Sequence, residues 1–228
     1  MGNPFVIYED KQVLALYKPA GWLSQPDGSD RPQLLGWGKE YLKARWSKPG
    51  DAFLAPCHRL DRPASGVLCW AKTSKAAGRI SGQFRDKEVR KAYLCLCHGK
   101  IDGLRGSVGA NLTRVDGVTR IVKAPKGRPA RLDWSLLANE GALSLLRVAV
   151  DTGIRHQIRA ILADLWHPIL GDFLYGGDPG PFGTDAIGLH CQSLGLSHPV
   201  TKEPMSLSCN PEPEWPWSQM PQGCWDAL

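Results

Sequence analysis

Apolar residues recur along this chain with two periods, near two and near 3.6, and the places where one gives way to the other mark its elements. FVIYEDKQVLALYKP reads as two short strands joined by a polar turn at Glu9-Asp10-Lys11. KPAGW then forces a loop, because Pro19 ends strand pairing and Gly21 frees the backbone. QLLGWGKEYLKARW places Leu34, Leu35, Trp37, Tyr41 and Leu42 near helical spacing, in a helix weakened by two glycines. GVLCWAK is an apolar strand, and TSKAAGRISGQFRDK a helix capped by Thr73 or Ser74. VRKAYLCLCHGKI is a long strand that alternates Ala92, Leu94 and Leu96 with Tyr93, Cys95 and Cys97. Residues 99–131, rich in Gly and Arg, read as turns and short strands, and RLDWSLLA and LSLLRVAV as a strand pair around an NEG turn. TGIRHQIRAILADLW is the clearest helix, with Thr152 as its cap and Ile154, Ile158, Ile161, Leu162 and Leu165 on one face. AIGLHCQSL and PMSLSC are short extended pieces of the tail. Many strands and few helices, in no regular βαβ alternation, predict an α+β fold with a mainly antiparallel sheet.

Composition narrows the class. The 228 residues are 43% hydrophobic and 22% charged, the balance of an ordinary globular protein. No apolar run is long enough for a membrane span, and MGNPFVIYEDKQ lacks the pattern of a signal peptide. Its Met-Gly start departs from a myristoylation pattern at Val6. The expected location is the cytoplasm. Seven cysteines, an odd number scattered through a long chain, fit reduced thiols. Cys95 and Cys97, two apart on a strand, share a face, but no second ligand pair stands at metal-binding spacing; they read as buried thiols.

The net charge of +6 is segregated. Lys72, Lys75, Arg79, Arg85, Lys87, Arg90 and Lys91 crowd one stretch, and Arg114, Arg120, Lys123, Lys126, Arg128 and Arg131 another. Beyond residue 184 the balance turns acidic, with Asp185, Glu203, Glu212, Glu214 and Asp226 against Lys202. Segregated positive charge suits a polyanionic partner, since each neutralised phosphate releases counterions.

The candidate chemistry lies in four stretches. HRLDRPASG supplies Asp61, RKAY supplies Tyr93 in mid-strand, RHQIR supplies Arg155 and Arg159 on the first turns of a helix, and HPILGDFLYG follows as a Gly- and Pro-punctuated loop. A carboxylate can attack a glycosidic carbon or an activated ring carbon if it is ionised and aimed, which a paired arginine accomplishes. Glycoside hydrolysis ordinarily needs two facing carboxylates, and the strongest motif offers one. Judged singly, Asp61 and Arg159 read equally well as members of structural ion pairs, and Tyr93 as a core residue. His58 and His156 read as hydrogen-bonding scaffold.

Taken together, the motifs resemble the RluA-type pseudouridine synthases, which modify large-subunit ribosomal RNA and some transfer RNAs. HRLDRPASG matches the H-R-L-D-x-x-[TS]-S-G signature of that family at all but Ala64. KPAG at Lys18–Gly21, Lys91–Tyr93 and TGIRHQIR also match, as do WHPILGDFLYG and LHCQSLGLSHP, in family order from about residue 14 to 211. Departures are Ile154 for the usual arginine, Arg155 for Thr or Ser, and Ile161 for a frequent histidine.

The resemblance implies a single catalytic domain over 1–228, its core about 5–211, with no N-terminal accessory RNA-binding domain and no cofactor or metal. It implies an isomerase that converts a uridine in ribosomal or transfer RNA to pseudouridine after the base is flipped out. Asp61 would be the catalytic carboxylate, Arg159 its ionic partner and Tyr93 the residue stacking on the base. Arg59 would fill the gap left by the flipped nucleotide, with His58, Lys18, Lys91 and Arg155 as further substrate contacts. A monomer is expected. Two other readings are an inactive RNA-binding protein of the same fold and a nucleosidase or glycosidase. Trp70, Trp134 and Trp166 are expected in the core, and Trp215, Trp217 and Trp225 either dock the tail or stack on RNA.

Overall fold

The computed structural model describes residues 2–47, 50–181, 183, 185–220 and 224–225; Asp226 of the acidic tail falls outside them. Among the described residues the chain forms eleven strands and three α-helices. In order these are β1 (Phe5–Glu9), β2 (Val13–Lys18), α1 (Leu34–Trp46), β3 (Ala55–Pro56), β4 (Ser65–Ala71), α2 (Ser74–Arg85) and β5 (Arg90–His98). There follow β6 (Arg105–Val115), β7 (Val118–Val122), β8 (Arg128–Glu140), β9 (Leu143–Val150), α3 (Gln157–Asp164), β10 (Leu189–Ser197) and β11 (Pro204–Ser208). The fold is α+β and mainly antiparallel, as the apolar pattern predicts. The chain groups into two compact units, Met1–Arg90 with Cys191–Cys209, and Lys91–His190 with Asn210–Leu228.

In the first unit the strand order is β1-β2-β4-β10, with β3 paired to β4 and β11 to β10. The polar turn before β2 closes because Asp10 Oδ1 accepts the N–H groups of Gln12 (2.7 Å) and Val13 (2.6 Å). Every residue of β2 and β4 is buried, which explains their continuous apolar runs. Each fully buried leucine among them contributes about 1.5–3 kcal/mol. Thr73 caps α2 by accepting the Ala76 N–H at 3.2 Å, as the sequence predicts. The helix-weakening Gly38 has a packing reason: a Cβ there would stand 2.8 Å from Leu54. Gly66, at φ +124°, lies so close to the Cys191 backbone that no side chain fits.

In the second unit the order is β5-β9-β8-β6-β7, all antiparallel. The stretch 99–131 holds longer strands than its sequence suggests, because β6 and β8 are solvated on one face and Gly and Arg mask their alternation. Trp217 docks the tail onto Leu94, Leu96 and Leu145, with Met220 and Cys224 beside it and Trp225 packed against the cluster. Trp70 is buried and Trp134 half-buried, but Trp166 is 89% exposed. Helix α3 ends at Asp164, and a left-handed Trp166 (φ 64°) turns away from the apolar face. The start of α3 also differs from expectation. Thr152 does not cap it; its hydroxyl donates to Gln157 Oε1 (2.6 Å), and the helix begins only after a left-handed His156. Arg155 therefore lies before the helix, not on its first turn.

Candidate active site

Asp61 sits half-buried on the loop between β3 and β4, and the backbone on both sides of it is tethered. Before it, Ser24 Oγ donates to the Leu60 carbonyl (3.0 Å) and accepts the Leu60 N–H (3.2 Å). After it, the Arg62 carbonyl accepts from the Gly21 N–H (2.9 Å) and from Lys18 Nζ (2.9 Å). The Asp61 carbonyl itself accepts the Ala64 N–H at 3.1 Å, closing the turn. KPAGWLS thus serves as the mount for HRLDRPASG, a relation between two motifs that the sequence lists only as neighbours in order.

Lys18 corrects one expectation. It ends β2 fully buried, and Nζ donates to the carbonyls of Pro19 (2.9 Å), Trp22 (2.7 Å) and Arg62 (2.9 Å). Burial pulls its pKa down to about 7, with the Asp61 charge raising it and Arg62 lowering it further. Three carbonyls take its three hydrogens and solvent does not reach it, so Lys18 holds the loop and cannot take a phosphate. His58 is likewise scaffold: Nε2 accepts the Cys69 N–H (3.0 Å) and the ring stacks on Phe84 at 4.7 Å. Arg59 is exposed.

The second unit gathers a network around Arg159. Its guanidinium forks onto Asp172, with Nε to Oδ2 and Nη2 to Oδ1 both at 2.7 Å, and both side chains are buried. The Tyr175 ring lies under it, 5.1 Å from Cζ. Burial raises the Tyr175 phenol above its ordinary pKa, with the Thr119 N–H and Arg159 opposing. Tyr175 Oη accepts the Thr119 N–H (3.0 Å) and meets His156 Nδ1 (3.0 Å). Arg155 Nε donates to His156 Nε2 (3.2 Å), which assigns the proton of a neutral His156 to Nδ1. The sequence pattern does not mark Asp172, Tyr175 or Thr119; the carboxylate and phenol in GDFLYG are the signal it offers for the first two.

The remaining candidates divide. Tyr93 is half-buried on β5 opposite Val148, and Lys91 Nζ donates to the Thr152 carbonyl (3.0 Å), steadying the segment before α3. Arg155 is exposed. Of the first basic stretch, Lys72 pairs with Glu9 (2.7 Å) and Arg79 donates to the Pro199 carbonyl (2.7 Å). In the second, Arg114, Arg120, Lys123, Lys126, Arg128 and Arg131 are all exposed on or between β6, β7 and β8. Cys95 and Cys97 are buried thiols whose pKa burial pushes up, so they stay protonated.

Residues 12–164 match the family described as RNA pseudouridylate synthase. The chain belongs to that family. As an RNA pseudouridine synthase it is an isomerase, converting uridine in RNA to pseudouridine. It is 30% identical to tRNA pseudouridine synthase C of Yersinia pestis, over 92% of this chain and 87% of that one. It is 28% identical to the dual-specificity RNA pseudouridine synthase RluA of Haemophilus ducreyi, over 92% and 95%. The fold is shared with human RNA pseudouridylate synthase domain containing 4, with a TM-score of 0.74 at 21% identity over 91% and 88% of the two chains. The synthase also resembles human RNA pseudouridylate synthase domain containing 1, with a TM-score of 0.71 at 25% identity, covering 94% of this chain and 85% of that one.

Proposed function

We propose that this synthase isomerises a uridine of transfer or ribosomal RNA with Asp61 as its catalytic carboxylate, Arg159 as a further catalytic cation and Tyr93 as the platform for the flipped base. Isomerisation breaks the bond from N1 to the ribose carbon C1′, forms the bond from C5 to C1′ and expels the C5 proton. A carboxylate that attacks the ribose, or takes a ribose proton, must be aimed within a fraction of an ångström. The observation that supports the assignment is the loop at half-buried Asp61, whose flanking peptide groups are fixed by Ser24 and Lys18.

Arg59, exposed two residues before Asp61, fills the space of the extruded nucleotide, and Arg155 contacts the RNA backbone. The exposed cations of β6–β8 supply the attraction for the RNA backbone. The substrate class follows that of the relatives, one a tRNA pseudouridine synthase and one of dual specificity. The enzyme works as a monomer in the cytoplasm.

The test is tritium release from RNA labelled at C5 of uridine, compared with an Asp61→Asn variant. The wild type releases tritium without free uracil, and the variant falls by ~10⁴-fold or more. Free uracil would reveal a hydrolase, and no release by the wild type an RNA binder. Release persisting in Asp61→Asn removes Asp61 from the chemistry.

A further inference from the structure

Two cysteines face each other across the short ladder that leads into the Asp61 loop. The register of β3 on β4 runs Ala55 opposite Ala71 and Pro56 opposite Trp70, and Cys57 lies on the bend immediately after it. The Cys57 N–H donates to the Cys69 carbonyl at 3.4 Å, which brings the two residues together. Neighbouring residues of this kind on adjoining antiparallel segments stand within the span a disulfide bridges. The two sulfurs are within hydrogen-bonding contact. Cys69 is buried, whereas Cys57 is partly open to solvent.

We propose that Cys57 and Cys69 are a peroxide-sensitive dithiol pair whose oxidation to a disulfide displaces the Asp61 loop. The Cys57 thiolate attacks one oxygen of a hydroperoxide, breaking the O–O bond and giving a sulfenic acid and an alkoxide or hydroxide, which takes up a proton. Cys69 sulfur then attacks the sulfenic sulfur; its proton leaves with the departing hydroxide as water, and the S–S bond forms. Two thiols lose two electrons and the hydroperoxide gains them. A dithiol reductant reverses the step.

The pair is polarised for this order. Donation from Cys69 lowers the Cys57 thiol below its ordinary pKa against the opposing effect of burial, whereas the contact with Cys57 and burial raise Cys69. The Cys57 thiol also makes a long 3.9 Å contact to the Ala55 carbonyl.

The consequence follows from the next residue. His58 bonds the Cys69 N–H at 3.0 Å and stacks on Phe84, and it leads directly to Arg59, Leu60 and Asp61. A covalent S–S bond is about 2.05 Å long, so contacting sulfurs must close by more than an ångström, pulling β3 and His58 with them. A misplacement of that size costs about 100-fold in turnover.

The test exposes the intact protein to a few equivalents of hydrogen peroxide, alkylates the remaining thiols and maps non-reduced tryptic peptides. A cross-link between peptides 46–59 and 60–72, two hydrogens lighter than the sum and lost with dithiothreitol, is expected. Cys69→Ala should instead leave a Cys57 sulfenic acid that dimedone traps, and Cys57→Ser should leave neither product. Tritium release should fall about 100-fold with cross-linking and return on reduction, while Cys69→Ala stays active through a brief peroxide pulse. Both thiols remaining alkylatable, or Cys57 passing to sulfinic acid without a cross-link, overturns the pair. A cross-link that leaves turnover unchanged overturns the displacement of the loop. The peptide map does not depend on the assignment of Asp61, so failure of that assignment is seen separately.

Discussion

Around Asp61 the tethers grip the main chain: Ser24 holds both polar groups of the Leu60 peptide and Lys18 holds the Arg62 carbonyl. Around Arg159 they grip the charged side chain itself, through the Asp172 fork and the Tyr175 ring. The first arrangement distributes the restraint over several hydrogen bonds to main-chain groups. The second buries two charges, which is favourable only while both are present. A loop held by backbone tethers is expected to lose aim before it loses stability, and a buried ion pair to lose stability first.

The largest effect belongs to the ion pair. Asp172→Asn removes the charge that the Arg159 guanidinium forks onto, in a site where the side chains are 5% and 1% exposed. Breaking a buried pair from one side costs about 3–5 kcal/mol. Urea unfolding should show that loss in the midpoint, with activity falling because less enzyme is folded and Arg159 is released. A destabilisation under about 1 kcal/mol would show that the network, not the pair, holds Arg159.

Ser24→Ala tests the other side. It strips both the N–H and the carbonyl of Leu60 of their partner in a buried setting, at about 1–3 kcal/mol. The contrast predicts a turnover loss larger than the stability loss accounts for, with substrate affinity nearly unchanged. Equal stability loss in Ser24→Ala and Asp172→Asn, with turnover following the folded fraction in both, would erase the distinction.

The two regions were also unequally legible from the amino-acid order. HRLDRPASG points to Asp61 through the family signature that it matches at all but Ala64. Asp172 is silent by comparison: a carboxylate in GDFLYG has no local mark of the arginine it serves, and the pairing exists only once α3 and the following loop are folded. Lys18 misled for the same reason. A lysine in KPAG is expected as a substrate contact, yet here it closes a strand buried at every position, and the carbonyls converging on Nζ reveal its task. Apolar spacing located α3 but not its start, because the left-handed His156 is a backbone event that the periodicity does not encode. It carried Trp166 into the core by extrapolating one turn too far.

The smallest effect is a pH dependence that singles out the loop. Lys18 has a pKa of about 7 in the folded protein, depressed by burial, against about 10.4 for an unfolded lysine. Between those values the unfolded chain binds the proton that the folded chain has released, so stability rises as pH rises through this window. Below about pH 7 both states carry the charge and the full burial cost remains; above about pH 10.4 the difference is constant. From pH 7 to 8 the gain is about 1 kcal/mol. The measurement is the unfolding free energy at both pH values for the wild type and for Lys18→Met, whose lower stability should lack this rise. An identical rise in the variant would mean that Lys18 keeps its ammonium throughout, held by three carbonyls strongly enough to cancel its burial.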